Sequence, residues 1–361
     1  MNGQRLSLNK LYVNRDIVAS NYLKLKEFVG PNVECAANIK ANAYGLGVMP
    51  IMSCLSKAGC NKFLVTNLDE ALEVRDSSVT DEVYVINGIN VGEESYFARN
   101  HIIPVLNTRD QFIVYNNYCR KKGKFFEAVL NIDTGINRFG FPVEEALELV
   151  EKGFFDQKVN IQFLMSHIAC STQSCASYNR KQLALIKNLQ DIFQKPVSLA
   201  DSDSIYLGQD YCFDIVRLGI MLYGVSSEKF NLKPAISLAS PIVQIRKVHE
   251  SIFVGYDHSY KASKNSTLAT IPIGYADGMH RSISNKASFY INGHPVTIAG
   301  QMSMDFTVLD VTNVPEHELF LGAEVEILGE NSTIEKMAEC AGTTCQDILT
   351  SLSYRLQRIY I

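Results

Sequence analysis

The segment Ile39-Lys40-Ala41-Asn42-Ala43-Tyr44-Gly45-Leu46-Gly47 places a lysine at the end of an apolar run, where a glycine-containing loop begins. A lysine there is partly desolvated, which favours its neutral form and makes the amine a competent nucleophile for imine formation. By position alone the same residue is an ordinary lysine on a sheet rim, so the assignment needs the rest of the chain. His167 ends a second apolar run, Ile161–Ser166, where a lone histidine is more often a packed core group. The nine cysteines, at 35, 54, 60, 119, 170, 175, 212, 340 and 345, are scattered and form no CxxC pair. Cys170/Cys175 and Cys340/Cys345 repeat a spacing, but no histidine pairing completes a zinc site. No metal is expected, and all nine cysteines are expected to be reduced thiols.

The elements that must position these residues alternate. Val33–Ile39, Lys62–Thr66, Val83–Asn87, Ile102–Leu106, Phe126–Ile132, Ile161–Ser166 and Pro196–Ala200 read as buried strands, with an eighth at Asp214–Val216. Helices fall between them. Asp16–Val29 stops at Gly30-Pro31, a helix from Thr108 has capping-box spacing to Gln111, and Val143–Lys152 ends at Gly153. Repeated strand–helix alternation predicts parallel strands joined by crossovers, and eight of them fit an α/β fold of the (β/α)₈ TIM-barrel type. A doubly wound open sheet is the alternative, but the GxGxxG fingerprint after the first strand is missing.

Beyond Leu232 the pattern changes. Val243–Val248, Thr267–Ile271, Ala287–Ile291, Pro295–Ile298, Thr307–Val311 and Glu324–Leu328 read as short strands separated by turns. Asn292-Gly293 suits the positive φ values of a type I′ hairpin. The expected organisation is therefore a barrel over 1–232 and a β-rich C-terminal domain over 233–361. In a barrel, functional groups sit at the C-terminal ends of the strands, which is where Lys40 and His167 stand.

Composition excludes several classes of function. With 34 basic and 38 acidic residues among 361, the formal charge is −4, and no basic stripe suits phosphate-backbone binding, so no nucleic-acid partner is expected. No apolar stretch approaches the ~20 residues of a membrane span, and the N-terminal segment has no secretory h-region. No membrane partner is expected either, and the reading is a soluble, cytoplasmic protein.

Six segments in order resemble the alanine racemase family. They are the Lys40 motif, Asp133-Thr134-Gly135-Ile136-Asn137-Arg138-Phe139-Gly140, Val216-Arg217-Leu218-Gly219-Ile220, Val254-Gly255-Tyr256, Ile271-Pro272-Ile273-Gly274-Tyr275-Ala276-Asp277-Gly278 and Met302-Ser303-Met304-Asp305. The resemblance implies a homodimeric isomerase with pyridoxal 5′-phosphate (PLP) as cofactor and alanine as its small amino-acid substrate. The implied role is supply of D-alanine for peptidoglycan. It makes Lys40 the PLP-bearing lysine and one base, with Tyr256 the opposite base reaching into the partner's barrel. Racemisation takes the α-proton from one face and returns it on the other, so two such groups are needed. A phenol has an ordinary pKa near ~10, so Tyr256 needs a nearby cation or donor.

The same resemblance puts Arg217 at the pyridine nitrogen, where a permanent cation donates a hydrogen bond without giving up its proton. That weakens the cofactor as an electron sink and suits racemisation over transamination. Phosphate would be held by Ser202, the Gly219 and Ile220 N–H groups and the Tyr44 hydroxyl, with His167 near Arg217 and Tyr256. Arg138 would face the substrate carboxylate, and Tyr275, Met304 and Asp305 would border the entrance.

Four positions depart from the family pattern. Leu46 replaces a frequent histidine, and Asn131 a lysine that is carbamylated in many members. Gln346 replaces a phosphate-contacting tyrosine, and Asp201 an asparagine. Asn131 cannot be carbamylated, so Arg138 must be held by Asn131 itself, water or an anion. The competing readings are a broad-specificity amino-acid racemase, a basic amino-acid decarboxylase of similar architecture, and a PLP-binding homologue without turnover. The decarboxylases carry an acidic, cysteine-containing segment that has no counterpart near Met302–Asp305.

Overall fold

A computed structural model describes residues 7–76, 81–151, 153, 158–171, 176–225 and 230–361. The chain enters through β1 (Lys10–Val13). Eight parallel strands of one sheet then appear among β2 (Glu34–Asn38), β3 (Lys62–Val65), β4 (Glu82–Val85), β5 (Ile102–Leu106), β6 (Phe126–Asp133), a short β7 (Phe141–Pro142) beside β6, β8 (Val159–Met165), β9 (Val197–Ser198) and β10 (Ile215–Leu218). Their spatial order is β10-β2-β3-β4-β5-β6-β8-β9. Backbone bonds from Asp214 N to Val197 O (3.1 Å) and from Arg217 N to Ala200 O (3.0 Å) bring β9 back toward β10. This is the nearly closed parallel barrel that the alternation predicts.

Bulky side chains from successive strands fill its interior: Leu64, Tyr84, Val105, Val129, Phe163 and Met165 form one buried cluster. A packed interior leaves the strand ends and their loops as the places for chemistry. Local signals place the flanking helices. Arg15–Val29 stops before Gly30, and Thr108 caps Arg109–Lys122 by accepting from Gln111 N. Gln111 does not close the capping box, because its Oε1 accepts from Asn107 N (2.8 Å), one residue earlier.

The remaining strands are β11 (Ile236–Pro241), β12 (Gln244–Lys247), β13 (Ile252–Val254), β14 (Tyr260–Ala262), β15 (Thr267–Ile271), β16 (Ser288–Ile291), β17 (His294–Ile298), β18 (Thr307–Asp310), β19 (Glu324–Leu328) and β20 (Gln357–Tyr360). Nine strands form a second sheet in the order β12-β15-β18-β17-β16-β19-β11-β1-β20. The Asn-Gly hairpin forms as read: Ile291 pairs His294, and Asn292 and Gly293 take φ of 46° and 84°.

Two compact units result. One holds the chain up to Val18, Tyr44–Pro50 and Tyr223–Ile361; the other holds Ala19–Ala43 and Ile51–Leu222. A division at 232 follows chain order, whereas in space the β-rich unit also takes in β1 and the loop after Lys40. β1 pairs antiparallel with β11 and parallel with β20, so its partners lie at the far end of the sequence.

One expectation is corrected. Seven cysteines (35, 54, 60, 119, 212, 340 and 345) are free thiols, but Cys170 is disulfide-bonded. Number and spacing speak to the compartment and to metal patterns, and neither says which sulfurs the fold brings together. Cys175 lies outside the described residues.

Candidate active site

Lys40 follows the last residues of β2, where Ile39 N donates to Leu64 O at 3.0 Å. Immediately after it Ala41, Asn42, Ala43 and Tyr44 take φ of 52°, 54°, 52° and 57°. This is a single left-handed turn built without glycine, at a cost on the order of 1–2 kcal/mol per residue. Within the barrel unit it is held by Ala43 N donating to Ile39 O (2.8 Å) and Ala41 N donating to Glu70 Oε1 (2.8 Å). The Lys40 amine is pushed below its ordinary pKa, first by burial and then by the charges of Arg138 and Arg217. The sequence expectation of a desolvated amine is met, and two arginines add to it.

Arg217, on β10, is buried at 5 % exposure. Its Nη1 donates to Ser198 O (2.8 Å) and Ser198 Oγ (2.6 Å), and its Nη2 to Ser166 O (2.6 Å), Leu199 O (3.1 Å) and His167 Nδ1 (3.2 Å). Carbonyls after β8 and β9 thus fix the guanidinium plane, and Nε has no acceptor among the described residues. Burial lowers Arg217 to about 10, still above neutrality. A guanidinium has donors only, so His167 Nδ1 accepts and its proton sits on Nε2, 3.5 Å from Asp201 Oδ2. Burial and then Arg217 hold His167 down at about 4, so it is neutral at neutral pH.

Ser202 lies in the loop after β9, and its Oγ accepts from Gly219 N at 2.7 Å. The Gly219 N–H is therefore already engaged, and the Ser202 hydroxyl hydrogen and the Ile220 turn that follows are the donors this cradle offers. Asp201 Oδ1 accepts from Ser204 N (3.0 Å) and Ser204 Oγ (2.6 Å), so the same carboxylate braces this loop and faces His167.

Arg138 is exposed on the loop after β6. Asp133 Oδ1 shapes that loop by accepting from Gly135 N (2.8 Å) and Asn137 N (3.1 Å). Asn131 does not bond Arg138. Its Nδ2 donates to Phe139 O (3.1 Å), one residue away, and to Asn107 Oδ1 (2.8 Å). The direct Asn131–Arg138 contact that the sequence left open is therefore not made, and Asn131 reaches this loop at the backbone carbonyl next to Arg138.

In the β-rich unit, Tyr256 stands on a turn after β13 and is 63 % exposed. Tyr256, Tyr275, Arg281 and Met302 line an open cavity of ≈ 470 Å³. Tyr275 N donates to Ser303 O (3.2 Å) and Ala276 N to Met304 O (3.0 Å), which lays the two predicted entrance segments side by side. Arg355 joins them again through Asp277 (3.2 Å) and Asp305 (2.8 Å). Tyr44 packs edge-on against Tyr223, with ring centroids 5.7 Å apart. Its loop is tied down by Arg358 Nε donating to Gly45 O (2.7 Å) and Tyr360 Oη donating to Leu46 O (2.9 Å). Leu46 is buried there.

The predicted residues thus fall into two groups. Lys40, Arg138, His167, Ser202, Arg217, Gly219 and Ile220 belong to the barrel unit, and Tyr44, Tyr256, Tyr275, Met304 and Asp305 to the β-rich unit. Sequence reasoning missed Glu70, Asn107, Ser198 and Gln182. Gln182, fully buried on the helix Ala176–Phe193, donates to Thr134 Oγ1 (3.2 Å) and His167 O (2.9 Å). Only Glu70 had a legible signal, its spacing from the helix cap Asn67.

Family models described as the alanine racemase N-terminal and C-terminal domains match residues 13–227 and 235–360. The chain belongs to the alanine racemase family. It is 38 % identical to a catabolic alanine racemase of Agrobacterium fabrum, over 97 % of this chain and 92 % of that one. It is 35 % identical to the alanine racemase of Rickettsia akari, over 99 % and 100 %. Among solved structures it superposes on the Bartonella henselae alanine racemase with covalently bound pyridoxal phosphate at a TM-score of 0.93, with 36 % identity and coverage of 98 % and 99 %. For the Bacillus anthracis alanine racemase with bound L-Ala-P the values are 0.88, 26 %, 98 % and 95 %. The activity that goes with alanine racemase membership is the interconversion of L- and D-alanine.

Proposed function

We propose that this protein racemises alanine with PLP carried on Lys40, using Lys40 and Tyr256 as the two bases. The observation that carries the reading is Lys40 itself: an amine at a barrel strand end, its proton affinity lowered by burial and by Arg138 and Arg217. The residues present fit the cofactor. Arg217 has an uncommitted Nε–H in a buried setting, Ser202 has a free hydroxyl hydrogen, and Lys40 is depressed toward its nucleophilic form. When bound, PLP supplies electron withdrawal that acidifies the substrate Cα–H.

The chain's own groups do the rest. Lys40 holds the cofactor covalently and moves a proton at one face of Cα. Tyr256, supplied by a second copy of the chain in a homodimer, moves it at the other. Arg217, which keeps its own proton, would hold the cofactor ring by a donated hydrogen bond and would leave the ring a weaker electron sink. Ser202, Ile220 and Tyr44 hold the phosphate, with Gly219 fixing the Ser202 hydroxyl. Arg138 takes the substrate carboxylate, while Tyr275, Met304 and Asp305 border the entrance.

The proposed setting is the cytoplasm, with D-alanine supplied for peptidoglycan. A catabolic role is favoured instead by the name of the 38 %-identical Agrobacterium relative. Deletion of the gene separates the two: a D-alanine requirement supports supply, and loss of growth on alanine alone supports breakdown.

The test of the chemistry is incubation with PLP and L-alanine in deuterium oxide. D-Alanine and deuterium at Cα are expected together. PLP binding with neither product would leave a non-catalytic homologue, and turnover of larger amino acids at similar rates would leave a broad-specificity racemase.

A further inference from the structure

A run of four residues other than glycine at φ between 52° and 57° relaxes unless its surroundings over-determine it. In the barrel unit, the Glu70 side chain contributes to that hold. Glu70 Oε1 accepts from Ala41 N at 2.8 Å, the first amide of the turn and the residue next to Lys40. Glu70 Oε2 accepts from Thr66 N at 2.7 Å, where β3 ends. Glu70 N donates to Asn67 Oδ1 (3.0 Å), which fixes Glu70 in the first turn of its helix, Leu68–Arg75. A capping glutamate needs only to reach the amide at its own helix start. This one also reaches across to the chain leaving β2, with charge-assisted bonds at both ends.

We propose that Glu70 is the positioning residue of Lys40: its carboxylate ties the left-handed turn to the end of β3 and so sets the direction from which the lysine amine approaches. The proposal rests on Lys40 being the cofactor-bearing residue. Among the described residues, Glu70 is also an anion facing the amine from the β3 side. Arg138 faces it from the loop after β6, His167 from that after β8, Asp201 from that after β9 and Arg217 from β10. Glu70 thus holds the backbone and partly offsets the two arginines.

The test compares the full-length wild type with Glu70→Ala, Glu70→Gln and Glu70→Asp. Amide hydrogen exchange is read first, without added PLP. In Glu70→Ala, Ala41 and Thr66 are expected to exchange at least about tenfold faster, with β5 amides unchanged. Glu70→Asp keeps both acceptor oxygens and is expected to recover part of that protection.

The second reading is the pH dependence of covalent PLP loading, followed by absorbance. Loss of the carboxylate charge in Glu70→Gln is expected to move its midpoint down by about half a pH unit or more, a change that a purely structural role would not produce. If Glu70→Ala does not fold, Glu70→Gln carries both measurements, since it keeps one acceptor oxygen. Exchange unchanged at both Ala41 and Thr66 in folded Glu70→Ala or Glu70→Gln, or an unmoved midpoint in Glu70→Gln, overturns the proposal. Wild-type protein that fails to load PLP on Lys40 sinks the functional reading instead, and the exchange data still decide what holds the turn.

Discussion

Arg217 donates through Nη2 to His167 Nδ1 across 3.2 Å, and this bond decides the state of the imidazole. Because the guanidinium cannot accept, His167 is the neutral Nε2–H tautomer, with that hydrogen toward Asp201. A protonated His167 would set two cations against each other in a buried place, and its pKa of about 4 reflects that cost.

This depression has a stability consequence. A free histidine titrates near ~6.5, so between that value and about 4 the unfolded chain takes up a proton that folded His167 refuses. The fold therefore loses stability as pH falls through this window. Chemical-denaturation midpoints are expected to drop from pH 6.5 to 4, and His167→Gln is expected to show a shallower drop. Parallel profiles for the two proteins would refute the assignment.

Tyr256→Phe removes one proposed base and leaves every barrel residue in place. The expected outcome is retained PLP binding with loss of racemisation in both directions, measured by circular dichroism of alanine or a coupled D-amino-acid assay. Unchanged rates in both directions would rule out the two-base scheme.

Asn131→Leu deprives Phe139 O and Asn107 Oδ1 of a donor. Leaving the buried Asn107 Oδ1 unpaired costs about 1–3 kcal/mol, to be read from urea denaturation. Because Phe139 adjoins Arg138, the alanine KM is expected to rise more than kcat falls. The reverse split would show that Asn131 does not act through the Arg138 loop.

Gly274→Ala tests how the entrance segments are held. A Cβ at Gly274 would lie 2.4 Å from both Ser303 O and Met304 O, and neither backbone atom can swing aside. Overpacking of this kind costs about 1–3 kcal/mol. Gly293→Ala, whose Cβ meets nothing within 4 Å, carries only the strain of its positive φ and is expected to leave turnover unchanged. A thermal melt and KM for alanine on both variants provide the comparison.

Much of this protein is local and so is written locally. Apolar runs, the Thr108 cap, the Asn292-Gly293 turn and the strand–helix alternation each depend on neighbours in sequence and form at the places read, although Pro196–Ala200 forms a strand only over Val197–Ser198 and Gln111 leaves the capping box open. Lys40 and the six ordered motifs carried the family, because residue type and spacing along the chain are what family membership is read from. Tertiary structure decided where partners come from far away. β1 completes a sheet with strands near residues 236 and 357, and Gln182 braces the His167 loop from the helix Ala176–Phe193. Cys170 forms a disulfide that spacing did not announce, and Asn131 holds Arg138's loop through a carbonyl. Glu70 reaches past its own helix cap to the lysine's turn. These partners lie apart in sequence, so residue type and local spacing do not name them; the folded chain decides which donor meets which acceptor.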